Sequence, residues 1–236
     1  MILSILIPVY NEEKFLELLL HEVFDTPFQK EVIIINDGSR DGTKNVLEKI
    51  ERDFQKNPVP HVERLRVIHK EKNAGKGAAI ITGVKEATGD IIVIQDADLE
   101  LSPKEYAKLL EPFEKYEADI VFGSRFQMAG TRRVFTTTKY LANRLLTIAS
   151  NIFSGIYLTD METCYKLFKR EVIQSFDLRS NRFGIEPELT AKAAKGKYKI
   201  YEVPITYNPR SHSEGKKIGW KDGLEALAAI VKYNLW

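Results

Sequence analysis

The chain has 236 residues, of which 44% are hydrophobic and 29% charged, with only 14 glycines and 9 prolines; it can fill a substantial core, which excludes disordered, collagen-like and membrane-bundle classes. Its net charge of +2, from 35 Lys and Arg against 33 Asp and Glu, argues against a nucleic-acid partner. Cys164 has no second cysteine to pair with, and His21, His61, His69 and His212 lack zinc-ligand spacing, so a reducing, cytoplasmic location is expected.

The opening apolar run, Ile2–Val9, is interrupted by Pro8 and preceded by no basic residue, so it reads as a buried first strand rather than a secretory leader. Further strands are expected at Glu31–Ile35, Arg66–His69, Ile91–Gln95 and Ile120–Gly123. Helical spacing fills the intervals at Asn11–Asp25, Thr43–Asn57, Gly75–Thr88 and Pro103–Tyr116. This βαβ rhythm predicts an α/β fold, a Rossmann-like, mostly parallel central sheet flanked by helices. In such sheets ligands sit beyond the carboxyl ends of the strands. The polar clusters fall there: Tyr10-Asn11-Glu12, Asn36 to Ser39, Asn73 to Gly77, and Asp96-Ala97-Asp98.

Past Arg125 the rhythm stops. The stretch Arg133–Leu158 is amphipathic, with Leu141, Leu145, Ile148, Ile152 and Ile156 three or four residues apart. It suits either a core helix packed on the sheet or a face laid against lipid headgroups, with Lys139 and Arg144 on its polar side. Its longest uncharged run, Leu145–Thr159, falls short of the roughly 20 apolar residues a membrane-spanning helix needs. A strand at Ile200–Tyr207 and a helix at Trp220–Asn234 end the chain, and no repeat or linker divides residues 1–236. The charge divides unevenly: residues 1–124 carry 16 Lys and Arg against 23 Asp and Glu, a net −7, and residues 125–236 carry 19 against 10, a net +9. That asymmetry suits either two solvated surfaces or an anionic partner for the second half.

Asp96 and Asp98, directly after an apolar strand, offer hard carboxylate oxygens suited to Mg²⁺ or Mn²⁺, which takes one or two carboxylates and completes its shell with water and substrate phosphate. Asp37 is placed to accept an N–H from a nucleobase. The loop Asn73-Ala74-Gly75-Lys76-Gly77 suits a close backbone approach or a lysine near phosphate. It lacks P-loop spacing.

Together, Pro8 to Glu12, Asn36 to Thr43, Asn73 to Gly77, Asp96 to Asp98 and Gly123-Ser124-Arg125 resemble, in order and spacing, the motifs of family 2 glycosyltransferases of the GT-A fold. The second half, with Thr159 to Lys166, Phe183 to Glu188, Glu202 to Ile205 and Glu214 to Lys217, resembles the branch of dolichyl-phosphate mannose and glucose synthases and their bacterial polyprenyl-phosphate relatives. The resemblance implies one domain over 1–236, with a nucleotide-sugar half (1–124) and an acceptor half (125–236). It implies that Pro8, Tyr10, Glu12, Asp37 and Lys76 line the nucleotide pocket, that Asp96 and Ala97 also face the donor, and that Asp96 and Asp98 hold the metal. Glu100 stands where such synthases usually carry Gln, and is expected to add a third metal ligand. Asn36 replaces a frequent Asp.

Arg125 occupies the position associated with acceptor phosphate, a role that suits a planar, bidentate cation; the alternative is a structural ion pair. Arg132, Arg133, Arg210, Lys216 and Lys217 add charge beside it, and Arg210 and Lys217 are expected to bind substrate. Asp160 aligns with the acidic position that serves as general base toward hydroxyl acceptors; toward a lipid phosphate, already an anion near neutral pH, its expected part is to position the acceptor. The implied activity is inverting, metal-dependent transfer of a sugar from a GDP-mannose or UDP-glucose type donor to a polyprenyl or dolichyl phosphate, with peripheral contact at the inner face of the membrane. The alternatives are transfer to a hydroxyl of a glycan or protein with Asp160 as base, a non-catalytic nucleotide-sugar binding module, and a sugar nucleotidylyltransferase, whose glycine- and basic-rich first loop is here Tyr10-Asn11-Glu12.

Overall fold

The computed structural model describes residues 1–127, 134, 136–209 and 220–235. Seven strands, β1 (Leu3–Val9), β2 (Lys30–Asn36), β3 (Val62–His69), β4 (Ile91–Ile94), β5 (Ile120–Ser124), β6 (Lys166–Lys169) and β7 (Ile200–Pro204), form one sheet in the order β3-β2-β1-β4-β6-β5-β7. All neighbouring pairs are parallel except those of β6, which runs antiparallel to both β4 and β5. The central strands are apolar along their whole length, with Ile5, Leu6, Ile7, Ile33, Ile34 and Ile92 fully buried. Such continuous runs belong to parallel strands covered on both faces.

Flanking helices are α1 (Leu16–Phe24), α2 (Thr43–Lys56), α3 (Lys76–Glu86), α4 (Tyr106–Lys115), α5 (Thr137–Ser154), α6 (Arg170–Gln174), α7 (Ile185–Lys195) and α8 (Trp220–Leu235). The first half follows the expected alternation, with shifted ends. The chain enters α1 five residues later than expected because Asn11 lies in left-handed backbone at φ 55°, a conformation that asparagine tolerates. Strand β4 pairs with β1 only as far as Leu6, so Pro8, which has no N–H to donate, lies beyond that ladder at the rim of the sheet.

The second half holds elements the periodicity did not predict. Strand β6 is four residues long and begins and ends in lysine, yet Lys166 is wholly buried. Its ammonium is satisfied by the carbonyls of Met161 and Thr163 and by the Glu186 carboxylate. Helix α7 reads as polar in sequence but buries Glu186, Glu188 and Thr190 along with Ile185 and Leu189.

Helix α5 is the largest departure from an ordinary amphipathic helix. Thr147 and Ser150 are its buried side chains, while Leu141, Leu145, Ile148 and Ile152 face outward, Leu145 at 67% and Ile152 at 74% exposure. The core-helix reading of this stripe is therefore corrected: the polar side packs inward because it has partners there. The Thr147 hydroxyl accepts from Met161 N, and Asn151 exchanges bonds with the backbone of Leu158. Gly155, at φ 73°, ends the helix.

Candidate active site

The carboxyl ends of β1, β2, β4 and β5 open into a cleft of about 440 Å³. Pro8, Tyr10, Glu12, Asp37, Lys76, Asp96, Ala97, Asp98, Glu100 and Arg125 all line it, joined by Glu162, Cys164, Arg182, Glu186 and Tyr207. The strand-end clusters thus converge as parallel-sheet topology requires. Arg210 and Lys217, together with Arg132, Arg133 and Lys216, lie outside the described residues.

On the β2 side, Asp37 is 2% exposed, and its Oδ2 accepts from the backbone N–H groups of Ala74 (3.0 Å) and Gly75 (2.7 Å). Lys70 Nζ stands 2.8 Å from Oδ1. The carboxylate expected to read a nucleobase therefore also organises the glycine loop. That loop makes its close approach to protein rather than leaving an open cradle. Ala78 N donates to Asn181 O at 3.0 Å, and a Cβ on Gly77 would sit 2.0 Å from Ser180 O. The glycines seat the segment 180–182 against the start of α3, which brings Arg182 into the cleft wall.

Lys76, on the first turn of α3, places its ammonium 2.9 Å from Asp96 Oδ1 and 3.1 Å from Glu186 Oε1. Burial pushes the ammonium's pKa down, but Asp96 and Glu186 more than offset this and hold it well above the usual lysine value. Burial likewise acts to raise the Asp96 carboxyl, and Lys76 overrides it, so Asp96 stays below the usual carboxylate value. The pair is charged in the absence of ligand. Burial pushes the Cys164 thiol well up, which keeps it a neutral sulfhydryl beside Lys76.

The loop carrying Asp96 and Asp98 is held from beneath by Gln95, fully buried at the end of β4. Its Oε1 accepts from the hydroxyls of Tyr106 (2.7 Å) and Tyr165 (2.6 Å), and its amide donates to the carbonyls of Asp96 and Leu101. Both ends of the loop 96–101 are thereby fixed. Within it, Asp98 Oδ1 accepts from Glu100 N at 3.1 Å across Leu99, which is left-handed at φ 59°. Glu100, expected as a third ligand, accepts the Tyr207 hydroxyl at its Oε2 at 2.6 Å. Among the described residues no three Asp, Glu, His or Cys side chains group closely enough to hold an ion unaided. Two strand-end carboxylates still fit Mg²⁺ or Mn²⁺, since these hard cations complete their shell with water and phosphate oxygens.

On the β5 side, Arg125 has its guanidinium 5.7 Å from the Phe126 ring centroid and 5.2 Å from that of Tyr207. Its Nε and Nη2 donate to the two oxygens of Asp160 at 2.7 and 2.8 Å, and its backbone N–H adds a third bond at 2.9 Å. Nη2 also reaches Asn143 of α5, at 3.4 Å. Burial acts to lower the guanidinium's pKa, and Asp160 outweighs it, so Arg125 is held above its ordinary value.

Asp160 is completely buried and does not line the cleft; both its oxygens are engaged with Arg125. In this arrangement the carboxylate is turned to Arg125 and not to the cleft. The turn beneath it is anchored by Glu202, which accepts from the backbone N–H groups of Thr159 and Asp160.

Sequence reasoning missed Glu162, Glu186, Arg182 and Tyr207. Glu162 and Glu186 lay inside motifs noted for their resemblance and gave no separate chemical signal. Glu162 sits in the cleft wall with its pKa raised to about 7, by burial first and then by Glu186, against the opposing pull of Lys166 and Arg125.

The sequence profile of glycosyl transferase family 2 matches residues 4–176. The polyprenol monophosphomannose synthase of Mycolicibacterium smegmatis is 28% identical over 98% of this chain and 86% of its own length. The undecaprenyl-phosphate mannosyltransferase of Micrococcus luteus is also 28% identical, over 98% of this chain and 93% of its own. Among solved structures, glucosyl-3-phosphoglycerate synthase from Mycobacterium tuberculosis, in complex with Mn²⁺, uridine diphosphate and phosphoglyceric acid, superposes with a TM-score of 0.69 at 19% identity. The match covers 98% of this chain and 78% of that one. The likeness is one of fold: a mostly parallel seven-stranded sheet of the GT-A type.

Proposed function

The chain belongs to glycosyl transferase family 2, and on that premise we propose that it moves a hexose from a nucleotide-sugar donor onto the phosphate of a polyprenyl or dolichyl phosphate, with inversion at the anomeric carbon. The names of two relatives along nearly the whole chain support the acceptor class. The observation that carries the reading is Arg125, whose side chain is 12% exposed in the cleft wall and bonded to α5, whose outward side is apolar. That arrangement suits an acceptor with a phosphate at one end and a long hydrocarbon at the other.

The donor diphosphate would lie along the β1, β2 and β4 ends, with Lys76 and the loop 96–98 beside it. Mg²⁺ or Mn²⁺ at Asp96 and Asp98 would supply charge neutralisation of the departing nucleoside diphosphate. Arg125, prealigned by Asp160, orients the acceptor phosphate so that one of its oxygens faces the anomeric carbon. A phosphate oxygen is already anionic near neutral pH and has no proton to surrender. The burial of Asp160 away from the cleft is compatible with such an acceptor and offers no base to a hydroxyl. No helix among the described residues is long and apolar enough to cross a membrane, so the reading includes docking from the membrane surface through α5.

The test is a panel of radiolabelled nucleotide-sugars crossed with polyprenyl phosphate and soluble glycans, with and without EDTA. Lipid-linked product from one donor, lost in EDTA and restored by Mn²⁺ or Mg²⁺, is expected. Transfer to a glycan hydroxyl and none to lipid phosphate would overturn the reading.

A further inference from the structure

Among the described residues the cleft is lined by seven carboxylates (Glu12, Asp37, Asp96, Asp98, Glu100, Glu162 and Glu186) and three cations (Lys76, Arg125 and Arg182). Both proposed substrates are anions, so the excess negative charge must be relieved where they bind. A divalent cation at Asp96 and Asp98 answers part of it, on the donor side. Glu162 follows Asp160 by two residues but is turned differently: Asp160 holds Arg125 from behind, whereas Glu162 lines the cleft wall. Its Oε1 is buried and has no hydrogen-bond partner among the described residues. Leaving a buried charged oxygen unpartnered is costly, and a proton or a ligand removes the cost.

The backbone around Glu162 is firmly held, since Lys166 ties down the carbonyls of Met161 and Thr163 on either side of it. The charged groups bearing on it are Asp160 on the same turn, Lys166 of β6, Glu186 of α7 and Arg125 after β5. The carboxylates of Glu186 on α7 and of Asp160 on its own turn disfavour its ionised form, and an anionic phosphate at Arg125 would disfavour it further. Resting on the lipid-phosphate reading above, we propose that Glu162 is an acceptor-binding residue that carries its proton in the productive complex and donates a hydrogen bond from the carboxylic acid to an oxygen of the acceptor phosphate. No bond to the sugar is made or broken by it, and the proton stays on Glu162 throughout.

The protonated form predominates below about pH 7 and is lost as the pH rises through that value. Binding of the acceptor should therefore weaken on the alkaline side. The test measures kcat and KM for polyprenyl phosphate from pH 6 to 8.5 in wild type, Glu162→Gln and Glu162→Ala, with melting temperature and donor KM as controls. Glutamine keeps a donor and cannot ionise. It should hold the acceptor KM within about threefold of wild type at pH 6.5 and remove the alkaline rise, which in wild type approaches tenfold per pH unit once Glu162 is ionised. Alanine should raise acceptor KM about tenfold or more at pH 6.5 with little change in donor KM. Subtracting the Glu162→Gln profile removes the phosphate's own ionisation.

A Glu162→Gln enzyme that loses about 100-fold in kcat with unchanged acceptor KM would mark a proton acceptor instead and overturn the proposal. So would identical pH profiles for wild type and Glu162→Gln, or an Ala variant with unchanged acceptor KM. Wild-type enzyme that fails to use lipid phosphate at any pH would defeat the underlying reading first, and this proposal with it.

Discussion

At the residue scale, Arg125 and Asp160 form one device. Their bidentate pair is largely buried, Arg125 at 12% and Asp160 at 0% exposure, and removing one member of a buried pair typically costs about 3–5 kcal/mol because the survivor is left uncompensated. The two residues therefore cannot be assigned separate roles by comparing their single variants. Arg125→Ala and Asp160→Asn should each lower kcat/KM for the acceptor by roughly 100-fold or more, and the double variant should be no worse than the worse single, the mark of a coupled pair. Acceptor kinetics on the three variants, with donor affinity by calorimetry as control, check this. Additive losses would show that Asp160 acts apart from Arg125. The sequence pointed to both residues and missed their pairing, because 35 positions separate them and no local pattern links them. It likewise expected Glu100 beside the aspartates, whereas its partner is Tyr207, 107 positions away.

At the element scale, the glycine loop shows how a short motif carries more than one duty. Gly77 is required by the backbone of the segment 180–182, so Gly77→Ala should destabilise the fold by about 1–3 kcal/mol or more, as overpacking against a rigid neighbour does. It should also disturb the cleft, since Lys76 and Arg182 are held by the same contact. Chemical denaturation measures the first effect, and an unchanged midpoint would refute the packing account.

The elements of the first half were legible because parallel strands buried on both faces leave continuous apolar runs, as in Ile91 to Ile94. Strand β6 and helix α7 were not, because their buried charges, Lys166 against Glu186 and Glu188 against the backbone of Arg179 and Ser180, disguise core segments as polar ones. Helix α5 gave the correct period and an undecided face. Only the inward partners of Thr147, Asn143 and Asn151 settle which side is buried.

At the scale of the whole molecule, one sheet and one hydrophobic core run through both halves of the chain, and the two halves meet at the cleft. The wall contributed by the second half includes Arg125 and Glu162, and behind it α5 turns an apolar face outward, with Leu224, Leu227 and Leu235 of α8 also exposed. Exposed apolar area of this kind adds membrane affinity at about 25 cal/mol per Å² buried. On the proposed reading, Leu145→Ser with Ile152→Ser should weaken sedimentation with anionic liposomes several-fold while leaving transfer to a detergent-dispersed acceptor unchanged. Undiminished liposome binding would detach this face from the lipid.

The central claim concerns the acceptor's phosphate, and it is tested most directly by giving the wild-type protein a labelled nucleotide-sugar and two acceptors that differ only in that group, a polyprenyl phosphate and the same polyprenol. Labelled lipid product from the phosphate alone is the predicted result. Equal transfer to the free alcohol would contradict the account, since neither Arg125 nor the buried position of Asp160 would then have the role given to it.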